Sequence, residues 1–219
     1  MLPPERCLHW FDDDDEFDRC RHPDVSDDDV RHAVDACERK LAAAEEVEPA
    51  ITLLVREAVE AFTIPWRTGE ADLKSPKSLF RKIQAYIAQF GDHAEDAAYR
   101  VRDALRYTVV LSDDNYWERA DDIVTELESL GIKRVKASQG WRRNGYRGRN
   151  ESFVSRTEQF EFEIQFHTEA SLDAREQTHR LYEDARDPRT SIADRNTLLE
   201  ALESAYDLVP VPTSVQWVD

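Results

Sequence analysis

The sequence is poor in glycine, cysteine and long apolar runs, and each shortage excludes a class of protein. Six glycines among 219 residues favour a helix-rich fold. Three cysteines, Cys7, Cys20 and Cys37, are odd in number and irregularly spaced, which argues against a disulfide framework and favours free thiols in a reducing compartment. No run approaches the roughly 20 apolar residues of a membrane span, and no signal-peptide pattern follows Met1. We therefore expect a cytoplasmic site of action and no membrane partner.

Positive charge is also scarce, with 29 Lys and Arg against 46 Asp and Glu and a formal net charge of −17. So acidic a chain is a poor candidate for general DNA binding, and we expect no DNA partner. The basic residues are unevenly placed, because residues 133–149 hold seven Lys and Arg and no acid. This segment fits either a binding place for a small polyanion or a solvated loop.

Hydrophobic residues make up 41% of the chain, which is enough for a folded core. Apolar spacing of three to four predicts helices over 26–61, 76–90, 92–102, 115–130, 172–183 and 192–206. Apolar runs and alternation predict strands over 103–112 and 132–138 and a hairpin of 151–156 with 159–168. Residues 1–25 are predicted to be irregular, and Pro49 is predicted to break or restart the first helix. The order predicts an α/β or α+β fold, a mixed β-sheet flanked by helices.

The stretch 160–168, FEFEIQFHT, alternates strictly, as a strand with one buried face does. Its apolar face carries Phe160, Phe162, Ile164 and Phe166. Its polar face carries Glu161, Glu163, Gln165 and His167. Two carboxylates, an amide and an imidazole in line are unusual for a merely solvated face, which suggests a binding or catalytic role.

The stretch 73–83, LKSPKSLFRKI, predicts a helix that begins at Pro76 with Ser75 as its cap. Lys74 precedes this helix, and Ser78 and Lys82 lie one turn apart on it, with Arg81 beside them. A helix N-terminus with added cations can hold phosphate groups. An ordinary amphipathic helix with a basic outer face explains the same pattern.

Asp103 precedes an apolar strand, with Arg106 three residues later. The carboxylate can cap a backbone, pair with Arg102 or Arg106, or hold Mg²⁺, which prefers one or two carboxylates together with water and substrate phosphates. Glu163 can supply a second carboxylate if the two strands are neighbours. In the stretch 144–150, NGYRGRN, Tyr146 lies among arginines, an arrangement that can stack a base, although a solvated turn also fits.

Taken in order, the stretches LKSPKSLFRKI, DALRYTVVL, NGYRGRN, FEIQFHT and EQTHRLYE resemble the RelA/SpoT-type nucleotide synthetase domain. These nucleotidyltransferase-like enzymes make (p)ppGpp and related alarmones. The resemblance covers about residues 70–185 and divides the chain into an acidic, helical N-terminal region (1–68), a synthetase core (69–186) and a C-terminal helix and tail (187–219). It implies transfer of the β,γ-pyrophosphate of ATP to the 3′-OH of an acceptor nucleotide.

The resemblance also implies roles for individual residues. The catalytic and Mg²⁺-binding carboxylates fall on Asp103 and Glu163. The ATP-binding positions fall on Lys74, Ser78, Arg81, Lys82 and Arg106. The acceptor-binding positions fall on Tyr146, Arg147, Asn150, Gln165 and His167, and His179 matches a histidine in the helix after the last strand.

Several positions depart from the family pattern, namely Asp72 and His167 in place of arginines, Asn150 in place of histidine, and a displaced Arg106. These departures resemble stand-alone, toxic members of the family that use adenine nucleotides or modify the 3′ end of tRNA. We therefore expect an adenine acceptor giving (p)ppApp, with guanine next and tRNA as an alternative. An immunity protein or antitoxin would be the protein partner, and delivery within a larger toxin stays open.

Two other interpretations differ in class. One is a catalytically inactive nucleotide-binding module, against which the two carboxylates argue. The other is a hydrolase with Zn²⁺ or Mn²⁺ held by Glu163, His167 and His179.

Overall fold

The computed structural model describes residues 10–11, 14–62, 71–138, 140–142 and 145–213, without the side chains of Asp14 and Ser138. The helices are α1 (Asp14–Cys20), α2 (Asp27–Glu60), α3 (Pro76–Phe90), α4 (Ala94–Arg100), α5 (Tyr116–Ser129), α6 (Glu169–Arg186) and α7 (Ile192–Asp207). The strands are β1 (Asp72–Leu73), β2 (Leu105–Val110), β3 (Ile132–Ser138), β4 (Arg149–Ser155) and β5 (Glu161–His167). Among these helices, none has the length and apolar character needed to cross a membrane.

The strands form one five-stranded sheet in the order β1-β2-β5-β4-β3. Strand β1 is antiparallel to β2, and β4 is antiparallel to both β3 and β5. The mixed sheet flanked by helices confirms the predicted fold class. Strands β2 and β5 are neighbours in this sheet.

The described residues fall into two compact units. One lies within Met1–Pro49 and Asp72–Arg106, and the other within Ala50–Ala71 and Tyr107–Asp219. The first unit has a core of apolar side chains from α1, α2, α3 and α4, including the fully buried Phe17 and Phe80. The second unit buries aromatic side chains of its own, such as Trp141 and Phe162.

Two of the sequence-based predictions are wrong, both in the N-terminal region. Residues 14–20 form α1 instead of irregular chain, because Phe17 is fully buried against the rings of Phe11 and Phe80, with centroids 5.2 and 5.9 Å away. Pro49 lies inside α2 and does not break it. A proline inside a helix costs about 3 kcal/mol, which burial of apolar side chains along the helix, including Val47 and Ile51, offsets.

The predicted start of α3 is confirmed in detail. Ser75 caps the helix by accepting a hydrogen bond from the Ser78 N–H at 3.3 Å, and Pro76 is the first helical residue. The helix ends at Gly91, which adopts a left-handed conformation with φ of 68°. These local signals fix the position of Lys82 on the helix.

Candidate active site

The predicted site residues lie in two groups, one in each unit. The donor group comprises Lys74, Ser78, Arg81, Lys82, Asp103 and Arg106, all in the first unit. The acceptor group comprises Tyr146, Arg147, Asn150, Glu163, Gln165 and His167, all in the second unit. Each group has an internal structure that the sequence patterns did not predict.

Asp103 is the centre of the donor group. The Lys74 Nζ donates to its Oδ2 at 3.0 Å, and the Lys82 Nζ donates to its Oδ1 at 2.7 Å. The three side chains are only 13–20% exposed. Lys74 is placed by β1, because its backbone N–H donates to the Ala104 carbonyl at 2.9 Å. The Asp103 carboxylate therefore pairs with Lys74 and Lys82, the two lysines predicted to bind phosphate. The alternative prediction, an ion pair between Asp103 and an arginine, is not what the structure shows.

The charges of this cluster do not cancel. Burial alone would raise the pKa of Asp103, but the ammonium groups of Lys74 and Lys82 hold it well below its usual range. Burial lowers the pKa of Lys74, and the Asp103 carboxylate opposes that effect. Two ammonium groups around one carboxylate leave an excess positive charge close to the N-terminus of α3. Such a cluster is suited to bind a polyphosphate anion.

Arg106 has a different partner. It lies directly opposite Asp72 in the β1–β2 pairing, and its Nε donates to the Asp72 Oδ2 at 2.5 Å. The Asp72 side chain is 51% exposed and the Arg106 side chain 19%. Asp72 stands where the family pattern has an arginine, and Arg106 is the displaced arginine of that pattern. The two departures from the pattern are therefore hydrogen-bonded to each other.

The polar face of β5 becomes more buried along the strand. Glu161 and Glu163 are half-buried, Gln165 is 6% exposed and His167 is fully buried. The Gln165 Nε2 donates to the Glu163 Oε1 at 2.6 Å, which fixes one carboxylate oxygen. The face is thus packed at Gln165 and His167, whereas Glu161 and Glu163 stay partly exposed.

Tyr146 is held by hydrogen bonds at its hydroxyl group. The hydroxyl donates to the Asn150 Oδ1 at 2.7 Å, and the His167 Nε2 lies 3.0 Å from it. The ring meets His167 and Tyr206 edge to face, with centroids 5.7 and 5.8 Å away. Burial raises the pKa of Tyr146 well above its ordinary value, so the phenol is neutral.

Two arginines of the basic segment, Arg147 and Arg149, are buried, and Arg143 lies outside the described residues. Arg147 is 4% exposed, with its Nη2 3.5 Å from an Asp207 carboxylate oxygen. Arg149 is 5% exposed and pairs with Glu151 at 2.6 Å and with Asp121 at 2.8 Å. The polyanion interpretation therefore does not extend to Arg149, whose charge is satisfied inside the second unit.

Sequence reasoning missed the residues that surround Tyr146 and His167. Ser171 accepts from the Thr168 N–H at 2.9 Å within the capping box of α6, and its Oγ lies 2.9 Å from the His167 Nδ1. The spacing of Thr168 and Ser171 is a capping signal that the sequence does show. Nothing local connects Tyr206 on α7 to Tyr146, 60 residues earlier.

Comparison with known proteins gives a match at the level of structure. No protein-family model matches the sequence, and no curated protein sequence matches it. The structure is similar to small alarmone synthetase 2 from Bacillus subtilis, with a TM-score of 0.54, 17% identity, and coverage of 78% of this chain and 92% of that one. The fold is that of the small alarmone synthetases.

Two further solved structures agree. A GTP pyrophosphokinase family protein from Streptococcus pneumoniae matches with a TM-score of 0.55, 16% identity and coverage of 78% of this chain and 88% of that one. Small alarmone synthetase 1 from Bacillus subtilis, bound to its product pppGpp, matches with a TM-score of 0.51, 17% identity and coverage of 78% and 92%. These structures confirm the fold that the motifs predicted.

The carboxylates suit a hard divalent cation. Asp103 and Glu163 offer oxygen ligands of the kind that Mg²⁺ prefers. The Asp103 oxygens are engaged by ammonium groups on flexible stems, which can turn to phosphate when a nucleotide binds. Each of these carboxylates, taken by itself, therefore has the chemistry that Mg²⁺ prefers.

The hydrolase interpretation gains no support. In the part of the chain that the structure describes, no group of three or more His, Cys, Asp or Glu is placed to hold a metal ion. His167 is fully buried, and both ring nitrogens lie within hydrogen-bonding distance of hydroxyl groups, whereas His179 is exposed.

Proposed function

We propose that this protein is a nucleotide pyrophosphokinase that transfers the β,γ-pyrophosphate of ATP to the 3′-OH of an acceptor nucleotide. The observation that carries the proposal is the cluster of Lys74, Lys82 and Asp103 at the start of α3. Its excess positive charge suits a triphosphate, and its carboxylate suits the accompanying metal. The fold shared with small alarmone synthetases is consistent with this chemistry.

The proposed reaction is an in-line displacement at the β-phosphorus of ATP. The acceptor 3′-oxygen forms a bond to this phosphorus, the bond from it to the oxygen that bridges to the α-phosphorus breaks, and AMP leaves. Glu163 takes the proton of the 3′-hydroxyl group. Lys74 and Lys82 exchange Asp103 for the donor phosphates and balance their charge. Such transfers depend mainly on positioning and on charge neutralisation.

We propose Mg²⁺ as the cofactor, with Asp103 and Glu163 each serving as a carboxylate ligand. When bound, it supplies charge neutralisation of the transferring phosphates. Ser78, Arg81 and Arg106 complete the proposed ATP-binding residues.

We propose an adenine nucleotide as the preferred acceptor, giving (p)ppApp, with a guanine nucleotide next. Support comes from Asn150 and His167, which replace the residues of the family pattern. The Asn150 Oδ1 accepts a hydrogen bond from the Tyr146 hydroxyl group, and the His167 Nε2 lies 3.0 Å from the same oxygen. A changed setting of the base-stacking tyrosine is consistent with a changed acceptor.

A role as a toxin or effector restrained by an immunity protein follows from the resemblance to stand-alone family members. We expect growth arrest when the chain is expressed in bacteria, and loss of that arrest in Glu163→Gln. Unimpaired growth with soluble, active protein would contradict the toxin role but would leave the proposed reaction standing.

The reaction is tested with γ-labelled ATP and Mg²⁺, offering AMP, ADP, GDP, GTP and tRNA in turn. Transfer of label to one acceptor supports the proposal and identifies the substrate. We expect Glu163→Gln to lower transfer at least about a thousandfold. Glu161→Gln is the matched control on the same face of β5, and we expect it to keep most activity. No transfer to any acceptor by folded protein would overturn the proposal and favour the binding module.

A further inference from the structure

His167 is enclosed at the end of β5. Its side chain is fully buried, and each ring nitrogen has a hydroxyl neighbour, Ser171 Oγ at 2.9 Å from Nδ1 and Tyr146 Oη at 3.0 Å from Nε2. A nucleotide could not reach this fully buried ring in the present arrangement of the side chains. The direct contact with the acceptor that the resemblance implies for this position would therefore require a rearrangement of the acceptor group.

The hydrogen bonds define where the imidazole carries its proton. Tyr146 has one hydroxyl proton, which it donates to the Asn150 Oδ1 at 2.7 Å. With that proton committed, the Tyr146 oxygen accepts from the His167 Nε2. The Ser171 hydroxyl proton is then shared between the bare Nδ1 at 2.9 Å and the Thr168 carbonyl oxygen at 3.1 Å. Burial and the nearby Arg175 lower the pKa of His167 to about 3, while a hydrogen bond to the Arg147 backbone opposes the shift. The ring is thus neutral, as this assignment requires.

The surroundings leave Tyr146 and His167 little freedom. A Cβ added at Gly148 would lie 2.7 Å from the His167 Cε1 and 2.8 Å from the Tyr146 Oη, so the pair packs directly over the Gly148 backbone. The Tyr206 ring covers Tyr146 from another side. Ser171 is itself fixed, because its Oγ accepts from the Thr168 N–H and its own N–H donates to Thr168.

We propose that His167 is a positioning residue which, held by Ser171, fixes the hydroxyl group and ring of Tyr146 and thereby the acceptor base. This inference rests on the proposed function and on the stacking role of Tyr146. A ring fixed before binding loses less conformational entropy when the base arrives, so the acceptor binds more tightly. The N-terminal cap of α6 thus contributes to acceptor affinity through a chain of neutral hydrogen bonds.

The test is a double-mutant cycle between His167→Leu and Tyr146→Phe. It is read from the KM and kcat of transfer and from calorimetric binding of ADP and of GDP. We expect each single change to weaken the affinity for the acceptor about five- to tenfold, the effect of one buried hydrogen bond, with the KM for ATP unchanged. Because His167 acts through the tyrosine hydroxyl, the double variant should be no weaker than the weaker single variant. Additive losses would overturn the proposal in favour of direct contact.

Two further variants guard against a folding defect in His167→Leu. His167→Gln keeps an N–H donor near the position of Nε2, and we expect it to recover affinity to within about threefold of the unmodified protein. Ser171→Ala removes the partner of Nδ1 together with the hydrogen bonds that its Oγ makes to Thr168. Its loss of affinity for the acceptor should disappear in the Tyr146→Phe background. A loss that persists in that background would overturn the proposal.

Nitrogen-15 NMR of the histidine rings gives a readout that needs no turnover. We expect His167 at pH 7 to carry its proton on Nε2, and its Nε2 signal to shift in Tyr146→Phe. A proton on Nδ1, or a charged ring, would overturn the positioning role. If no acceptor takes label, the proposed reaction fails, while this spectrum and nucleotide binding still decide the role of His167.

Discussion

The donor group and the acceptor group are built from different kinds of interaction. The donor group is ionic, with two lysines on one buried carboxylate. Around Tyr146 the acceptor group is neutral. A chain of hydrogen bonds there joins the Asn150 amide, the Tyr146 phenol, the His167 imidazole and the Ser171 hydroxyl group, in that order. Ion pairs act over distance and tolerate changes in geometry, whereas neutral hydrogen bonds need correct directions. The first arrangement suits phosphates common to all nucleotides, and the second suits a base.

The same contrast gives the two groups separate responses to pH. The pKa of Asp103 is depressed, so the stability that it contributes is present at neutral pH and is lost only as pH falls below its unfolded value of about 4. The pKa of His167 is depressed from 6.5 to about 3, so its contribution is lost from pH 6.5 downward. Between pH 6.5 and pH 4, protonation of His167 in the unfolded chain should therefore lower the free energy of unfolding, while Asp103 still contributes its stability.

The largest predicted effect is therefore a pH dependence that belongs to His167. Between pH 6.5 and pH 4 the unfolded chain binds a proton at this residue and the native protein does not. We expect the free energy of unfolding to fall by about 3 kcal/mol more in the unmodified protein than in His167→Gln. Urea titrations at half-unit pH steps measure this difference. Parallel curves for the two proteins would show that His167 is not held neutral.

Removing the central charge of the donor group should cost nearly as much. Asp103→Asn leaves Lys74 and Lys82 close together without their counter-ion, and we expect a loss of about 2–3 kcal/mol at pH 7. This is less than a fully buried pair would lose, because water reaches the cluster. Thermal unfolding gives the measurement, with Asp18→Asn on the exposed side of α1 as control. Equal stability of both variants would contradict the ionic description.

A change in packing should disturb the acceptor group alone. The Cβ of Gly148→Ala would overlap both His167 and Tyr146, and we expect a cost of about 1–2 kcal/mol with a weaker affinity for the acceptor and an unchanged KM for ATP. Gly91→Ala is the comparison, because its Cβ meets no described atom within 4 Å and adds only the strain of φ 68°. If Gly148→Ala raised the KM for ATP as much as the KM for the acceptor, the donor group and the acceptor group would not act independently.

The smallest predicted effect concerns the pair of Asp72 and Arg106. Asp72 is half exposed, so Asp72→Asn should change the free energy of unfolding by no more than about 0.5 kcal/mol. Losing its counter-ion should make Arg106 more available to phosphate, and we expect the KM for ATP to fall about two- to threefold. Asp72→Glu keeps the charge and is the control. A higher KM for ATP in Asp72→Asn would instead mean that the ion pair with Asp72 holds Arg106 in the position where it binds ATP.

Local patterns predicted much of the fold. The serine–proline start of α3, the strand β3 and the β4–β5 hairpin all lie where the sequence placed them. Helix α1 could not be predicted, because its formation depends on burial of Phe17 against side chains distant in sequence. The continuity of α2 through Pro49 could not be predicted for the same reason, because burial of side chains in the tertiary structure outweighs the local tendency of proline to break a helix.

The candidate site divides in the same way. The sequence by itself determined which chemistry-bearing residues lie on which helix or strand, because periods of 3.6 and 2 residues depend only on near neighbours. Only the tertiary structure decided their partners. Asp103 meets Lys74 and Lys82 across 29 and 21 residues, and His167 meets Tyr146 across 21. Pairings over such separations depend on how the elements pack, so the packing decided that one group is ionic and the other neutral.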